Sequence, residues 1–248
     1  MIRIVRCAMA ALMLGASAVA AFAADLPVAP APALAPAPAL PEAFQPFQVR
    51  LRAVGVLPEG GGILQNNATG GFVSGGVKAS DAVIPELDVS YFFTKNIAIE
   101  AVCCVSYHNL FLKGGTLNGS YIGHTLLFPP TVLLQYHVTT LGAFQPYAGV
   151  GVNYTHFFSV HPDGQILNSL SLGDSWGVAG QIGFDYMIDD HWGLNFDVKK
   201  LLMNTRVNAT VAPGIASVSG NAAISPWLIG AGITYRFGGP ASAIVAKY

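Results

Sequence analysis

The sequence predicts an all-β fold, an eight-stranded antiparallel transmembrane β-barrel, on three observations. The first is alternation. In SWGVAGQIGFDYM, Ser175 to Met187, the even positions are Trp176, Val178, Gly180, Ile182, Phe184 and Tyr186, and the odd positions are small or polar. The second is the order along the larger face, with aromatics at both ends and aliphatics between, the girdle pattern of a strand crossing a bilayer. The third is that more than half of the 248 residues are hydrophobic, yet beyond the N-terminus no run of about eighteen apolar residues occurs to form a membrane helix. A soluble sandwich would bury the larger face too; the aromatic ends favour the bilayer.

Only 25 residues are charged, twelve Lys or Arg against thirteen Asp or Glu, for a net charge of −1. That balance points away from nucleic acid as a partner. Residues 1–23 read as a secretory signal: Arg3 and Arg6 precede an apolar core from Cys7 to Phe22, and Ala21-Phe22-Ala23 supplies a cleavage site. A retained helical anchor is the rival reading, but the core is short and runs into proline. Cys7 precedes the core, where a lipidation cysteine would follow it. Residues 24–46 form an alanine- and proline-rich linker that favours polyproline II and cannot pair as a strand. Residues 47–237 form the barrel, and 238–248 a C-terminal extension. Cys103 and Cys104 are adjacent, point to opposite faces of a strand and are expected to be two buried small hydrophobes. The six histidines share no ligand spacing with cysteine or carboxylate, so neither a metal site nor a cofactor is expected.

Eight crossings follow in order: Phe47 to Val56, Ala82 to Phe93, Ile97 to Tyr107, Thr125 to Val138, Gln145 to Phe158, Ser175 to Met187, Trp192 to Asn204 and Ile224 to Phe237. Their connections alternate in length. Thr94 to Asn96, Thr139 to Phe144 and Ile188 to His191 are short; Leu57 to Asp81, His108 to His124, Ser159 to Asp174 and Thr205 to Ala223 are long and rich in Gly, Asn and Ser. Short periplasmic turns and long outer loops are the signature of an even-stranded barrel with both termini inside. In the fifth strand Ala148, Val150, Val152, Tyr154 and Phe158 share one face; in the eighth Trp227, Ile229, Ala231, Ile233, Tyr235 and Phe237 do. In the seventh strand Lys200 falls on the lipid face, so it either snorkels or marks a bulge.

The opposite faces define a lumen. Phasing sends Arg50, Arg52, Glu86, Asp88, Glu100, Asp185, Asp197, Lys199 and Arg236 inward, four basic against five acidic, largely in the periplasmic half. An eight-stranded lumen is narrow enough for side chains to fill, so a paired cluster there would block water. Val54, Val56, Val102, Leu133, Leu201, Met203 and Leu228 face inward in the outer half, with Phe157 at its margin. Two readings stay open: an apolar cup, open outward, that accepts a small hydrophobic molecule, or a solid core apolar above and polar below.

LSLGDSWGVAGQIGFDYMIDDHW from Leu170, QPYAGVGVNYTHFF from Gln145, FPPTVLLQY from Phe128 and ISPWLIGAGITYRF from Ile224 resemble the outer membrane protein W (OmpW) family, in the same order from about Phe47 to Phe237. The resemblance implies an eight-stranded barrel of the bacterial outer membrane with a hydrophobic lumen. It also implies passive uptake of small hydrophobic compounds, with alkane importers among the relatives. It places Pro129 and Pro130 where the family's paired prolines interrupt a strand; because proline removes ladder donors, they mark an expected lateral opening into the membrane lipid. The chain departs from the family in its alanine–proline linker and in GGPASAIVAKY after Phe237.

Two other classes stand beside uptake. A structural or surface-recognition barrel would bind host, phage or bacteriocin components through its long outer loops. A lipid-modifying enzyme would use His156 and Ser159 at the outer rim, but no carboxylate is spaced in sequence to orient that imidazole, and no catalytic residue is expected.

Overall fold

The computed structural model describes residues 44–212 and 216–239. The expected leader, most of the alanine–proline linker and the extension past Gly239 lie outside the described residues. In chain order the strands are β1 (Phe47–Leu57), β2 (Gly62–Asn66), β3 (Phe72–Ser74), β4 (Val77–Ala79), β5 (Ala82–Phe92), β6 (Ile97–Cys103), β7 (Ser106–Leu112), β8 (Tyr121–Phe128), β9 (Thr131–His137), β10 (Phe144–Pro162), β11 (Leu167–Leu172), β12 (Ser175–Met187), β13 (Trp192–Val211), β14 (Ala216–Ala223) and β15 (Trp227–Phe237).

Eight of them close a ring, all antiparallel, in the order β1, β5, β6, β9, β10, β12, β13, β15 and back to β1. At the lower end the turns are tight and held by side chains. Thr94 Oγ1 accepts from the Ile97 amide at 3.0 Å. Asp189 Oδ1 accepts from the amides of Trp192 and His191, both at 2.7 Å, and the Trp192 bond leads in holding its carboxylate below the usual range.

Alternation sets the two faces as the sequence predicts. Val83 is 79% exposed, Trp176 74%, Val150 69% and Ile182 65%, a contiguous apolar wall that water would not tolerate and a bilayer requires. Aromatics ring its lower edge, with Phe47 packed on Tyr91 and Phe237 at 5.3 and 5.5 Å and Trp192 on Tyr235 at 4.6 Å. At the upper edge Tyr154 meets Trp176 at 4.9 Å. Lys200 snorkels: the β12–β13 register runs through it and the β13–β15 register reaches it without a bulge, and its Nζ reaches Glu59 Oε2 and the Ser225 carbonyl, each at 2.8 Å, over the Trp227 ring.

The long connections differ from expectation: they are largely strand. β4, β7, β8 and the upper part of β10 form one outer sheet, and β3, β2, β14, the upper part of β13 and β11 another. Leu110, Ile122 and Phe157 from the first sheet share a buried cluster with Leu64, Val207 and Val218 from the second. Each inner face finds an apolar partner, so segments poor in β-formers pair because β10 and β13 continue past the barrel as templates.

Candidate functional site

The lower lumen is packed with charge. Arg50 donates from Nε to Asp185 Oδ1 at 3.2 Å and from Nη2 to Asp185 Oδ2 at 2.8 Å, pairs with Glu100, and stacks its guanidinium over Tyr147 at 4.8 Å. Arg52 bonds Glu86 at 2.7 Å and also pairs with Asp88 and Asp197. Lys199 joins Glu86 at 2.9 Å to Asp197 at 3.2 Å, and Arg236 reaches Asp185 at 3.4 Å. The structure therefore gathers all nine sequence-selected charges into two ion-pair groups, Arg50 with Glu100, Asp185 and Arg236, and Arg52 with Glu86, Asp88, Asp197 and Lys199, which Gln181 and Asn195 join into one network. Arg50, Asp88, Glu100 and Asp185 are wholly shielded from solvent, and only Arg236, at the lower mouth, is partly open.

Sequence reasoning missed the neutral members of this network. Gln135 donates to Gln181 at 2.8 Å, Gln181 donates to Glu100 at 3.1 Å, and Asn195 donates to Asp185 at 2.8 Å and to the Tyr147 hydroxyl at 3.0 Å. These amides satisfy carboxylate lone pairs that the cations leave free. Gly183 makes room for the Tyr147 ring, since a Cβ there would lie 2.8 Å from Tyr147 Cζ. Gln181 and Asn195 stand on the small, polar face of their strands, so alternation alone could have found them.

Above the charges the interior turns apolar. Val54, Val56, Val102, Leu133, Leu201 and Leu228 are buried in one cluster, joined by Ile84, Cys104 and Ala179; Met203 and Phe157 belong instead to the cluster between the outer sheets. Of the two readings the sequence leaves open, this arrangement is nearer the packed core, because the cluster between the outer sheets closes the chamber above. A cavity of about 30 Å³ remains, near the share of one water molecule, touched by Val56, Leu201, Met203, Leu228, Pro129 and Cys104.

Three polar side chains also reach this cavity: Ser106, His108 and Thr155. His108 is 1% exposed, with Nδ1 2.6 Å from the Ser80 carbonyl and Nε2 3.0 Å from Ser106 Oγ. Thr155 Oγ1 donates to Asn153 Oδ1 at 2.8 Å. Continuing the inward phase of Val102 through Cys104 to Ser106 and His108 would have selected the first two. Cys103, by contrast, is exposed on the lipid side, so only one of the adjacent thiols is a buried one.

The wall of the chamber is incomplete. The β5–β6 ladder ends at Leu87 and Cys103, while β5 stays paired to β1 up to Ala82. Among the described residues no ladder pair joins Ala82–Glu86 to Cys104–His108; the next tie is the Ser80 amide to the Asn109 carbonyl at 2.8 Å. The β6–β9 ladder likewise stops at Val102 and Thr131, and β7–β8 resumes at Ser106 and Leu127. Pro129 and Pro130 lie in that interruption, secured to β10 by the Tyr154 amide and by Asn153 Nδ2, which donates to both proline carbonyls at 3.2 and 3.3 Å.

At the rim His156 has a carboxylate after all. Asp174 Oδ1 lies 2.8 Å from its Nδ1, and the Tyr154 hydroxyl donates to Asp174 Oδ2 at 2.6 Å, which holds that acid below its usual range. The partner comes from the connection before β12, so spacing along the chain concealed it. No hydrogen bond joins His156 to Ser159 among the described residues. Ser159 sits at a register shift with φ +51°.

Comparison with known proteins places this geometry. The OmpW family matches residues 46–237. An uncharacterized outer-membrane protein, y4mB, of Sinorhizobium fredii is 43% identical over 95% of this chain and 97% of its own. Outer membrane protein W of Vibrio cholerae is 37% identical over 61% of this chain and 72% of its own. The crystal structure of OprG from Pseudomonas aeruginosa superposes with a TM-score of 0.72 at 29% identity, covering 79% of this chain and 97% of that one.

Proposed function

The chain belongs to the OmpW family of outer-membrane barrels, and on that premise we propose that it admits small hydrophobic molecules passively and releases them sideways into the outer-membrane lipid. One observation carries the reading: the apolar chamber lies above a sealed charged plug and beside the unpaired stretch between Ala82–Glu86 and Cys104–His108. A solute in the chamber meets buried ion pairs below it, where an apolar body gains nothing and separating charges is costly. Sideways it meets backbone with no ladder to break. Val54, Val56, Val102, Leu133, Leu201, Met203 and Leu228 act in this reading as the lining, the nine paired charges as the plug, and Pro129 and Pro130 as the hinge of the opening.

The test is uptake by cells with verified surface expression. A hydrophobic probe should enter faster than in cells lacking the protein, while sugars of similar size gain little. Unchanged uptake of the probe would reject the reading in favour of recognition by the outer sheets; strong sugar flux would mean that the plug leaves a water-filled pore.

A further inference from the structure

The outward face of the first outer sheet carries a chain of touching rings. Phe111 on β7 packs edge-on against Tyr121 on β8 at 5.9 Å, and the Tyr121 hydroxyl lies 3.2 Å from His124 Nδ1. His124 in turn meets Tyr107 at 5.4 Å and stacks at 5.0 Å on His161, its direct partner across the β8–β10 ladder. Tyr107 is 48% exposed and Tyr121 40%. The second outer sheet differs: along β13 and β11 its outward face shows Asn204, Arg206, Asn208, Ser169 and Ser171.

Height decides what can meet these rings. β10 keeps one outward phase from Val150 and Val152 on the lipid wall through Tyr154 to His156 and Phe158, and after its register shift it presents His161. The aromatic edge at Tyr154 and Trp176 marks where acyl chains give way to head groups. His161 stands seven residues beyond Tyr154, about 15–20 Å higher on a tilted strand. A face continuous with the lipid wall, at that height, meets the head of the lipid whose chains touch the wall below. Sugars suit it, because their C–H faces pack on rings and their hydroxyls bond the polar edges that Tyr and His supply.

Phe111 also borders a depression of about 390 Å³, shared with Lys78, its register partner on β4, and with Lys113, Asn118, Ser80 and Asp81. Lys113 donates to the Gly60 carbonyl, whereas Lys78 has no carboxylate partner among the described residues. Two cations against one carboxylate leave the depression net positive. We infer that this face binds the phosphorylated sugar head of an outer-leaflet glycolipid, with sugar rings on the stripe from Tyr107 to Phe111 and a phosphate in the depression that Lys78 and Lys113 line. The site goes beyond the uptake reading and is independent of it, because its ligand never enters the barrel.

The experiment offers the full chain, in detergent micelles, deep-rough lipopolysaccharide, its dephosphorylated form and phosphatidylglycerol at equal concentration, and native mass spectrometry measures the lipid retained. The intact glycolipid is expected ahead of the other two by roughly tenfold, the value of two exposed charge-assisted contacts. Lys78→Gln with Lys113→Gln should bring it down to the dephosphorylated level, and Asp81→Asn should raise it. Tyr107→Ser with Tyr121→Ser should weaken both forms of the glycolipid. Arg206→Gln, on the other outer sheet, should change neither. All of these side chains are exposed, and heat-dependent gel mobility checks that each variant folds. Phosphatidylglycerol retained as well as the intact glycolipid, or a tyrosine variant that holds the dephosphorylated form undiminished, overturns the sugar stripe. An unchanged preference in the lysine variant, or an equal loss with Arg206→Gln, overturns the phosphate site.

Discussion

Asp185 receives Arg50 end-on across the lumen: both carboxylate oxygens take guanidinium nitrogens, at 3.2 and 2.8 Å, although β1 and β12 are not neighbours in the ring. A bond of this kind ties opposite walls together, which no ladder can do, and it does so where neither group reaches solvent.

Arg50→Leu should therefore destabilise the barrel by about 3–5 kcal/mol, because it strands Asp185 and Glu100 in a closed space. Arg236→Gln, at the partly open mouth, should cost less. Removing Asp185 together with Arg50, as Arg50→Leu with Asp185→Leu, should recover part of the loss. Urea unfolding in detergent of these variants and of Asp185→Leu alone completes the cycle, and additive losses in the double variant would count against direct coupling.

Leu133→Asp and Leu228→Asp should each lower uptake of a hydrophobic probe. Leu133 is wholly buried and Leu228 nearly so, and an unpaired carboxylate there imposes a desolvation cost on any apolar visitor. Val178→Asn on the lipid face is the control for insertion. Equal uptake by all three at matched surface levels would show that the chamber is not on the path.

If the opening lies between β5 and the β6–β7 junction, stapling it should stop release. Extending the Leu87 and Cys103 register opposes Pro85 to Val105, and both face outward. A Pro85→Cys, Val105→Cys pair, with Cys103→Ser and Cys104→Ser, should lose uptake on oxidation and regain it on reduction. Transport that ignores the staple would place the exit elsewhere.

His108 supplies a pH dependence. Burial lowers its pKa in the folded state from an ordinary value of 6.5, so below that value the unfolded chain binds the proton more readily. The contribution of this group to stability is complete above 6.5 and is lost as the pH falls through the lowered value. His108→Phe should make unfolding less sensitive to mild acid than in the parent chain. Parallel curves for the two would contradict a neutral, buried imidazole.

The crossings were legible because a two-residue period needs only local reading, and Trp176 to Tyr186 or Trp227 to Phe237 display it without interruption. The nine charges were legible for the same reason, each standing on the small face of its strand. The outer sheets were not: ASVSGNAA, Ala216–Ala223, has little intrinsic strand character and pairs because β13 extends beside it. Nor was the His156–Asp174 contact, which joins two strands through a connection whose length conceals proximity.

β10 and β13 run through both storeys, 19 and 20 residues long, β10 with its register shift at Ser159. At the usual rise and tilt a strand of that length climbs about 50 Å, against roughly 30 Å for the hydrocarbon of a bilayer. The protein is thus a tower whose upper third stands among headgroups and sugars with an interior packed by leucine, isoleucine and valine. On the proposed uptake route, a greasy molecule has to part that packing to cross the polar zone, ordinarily its greatest barrier, and leucine and valine keep it from water as it does so.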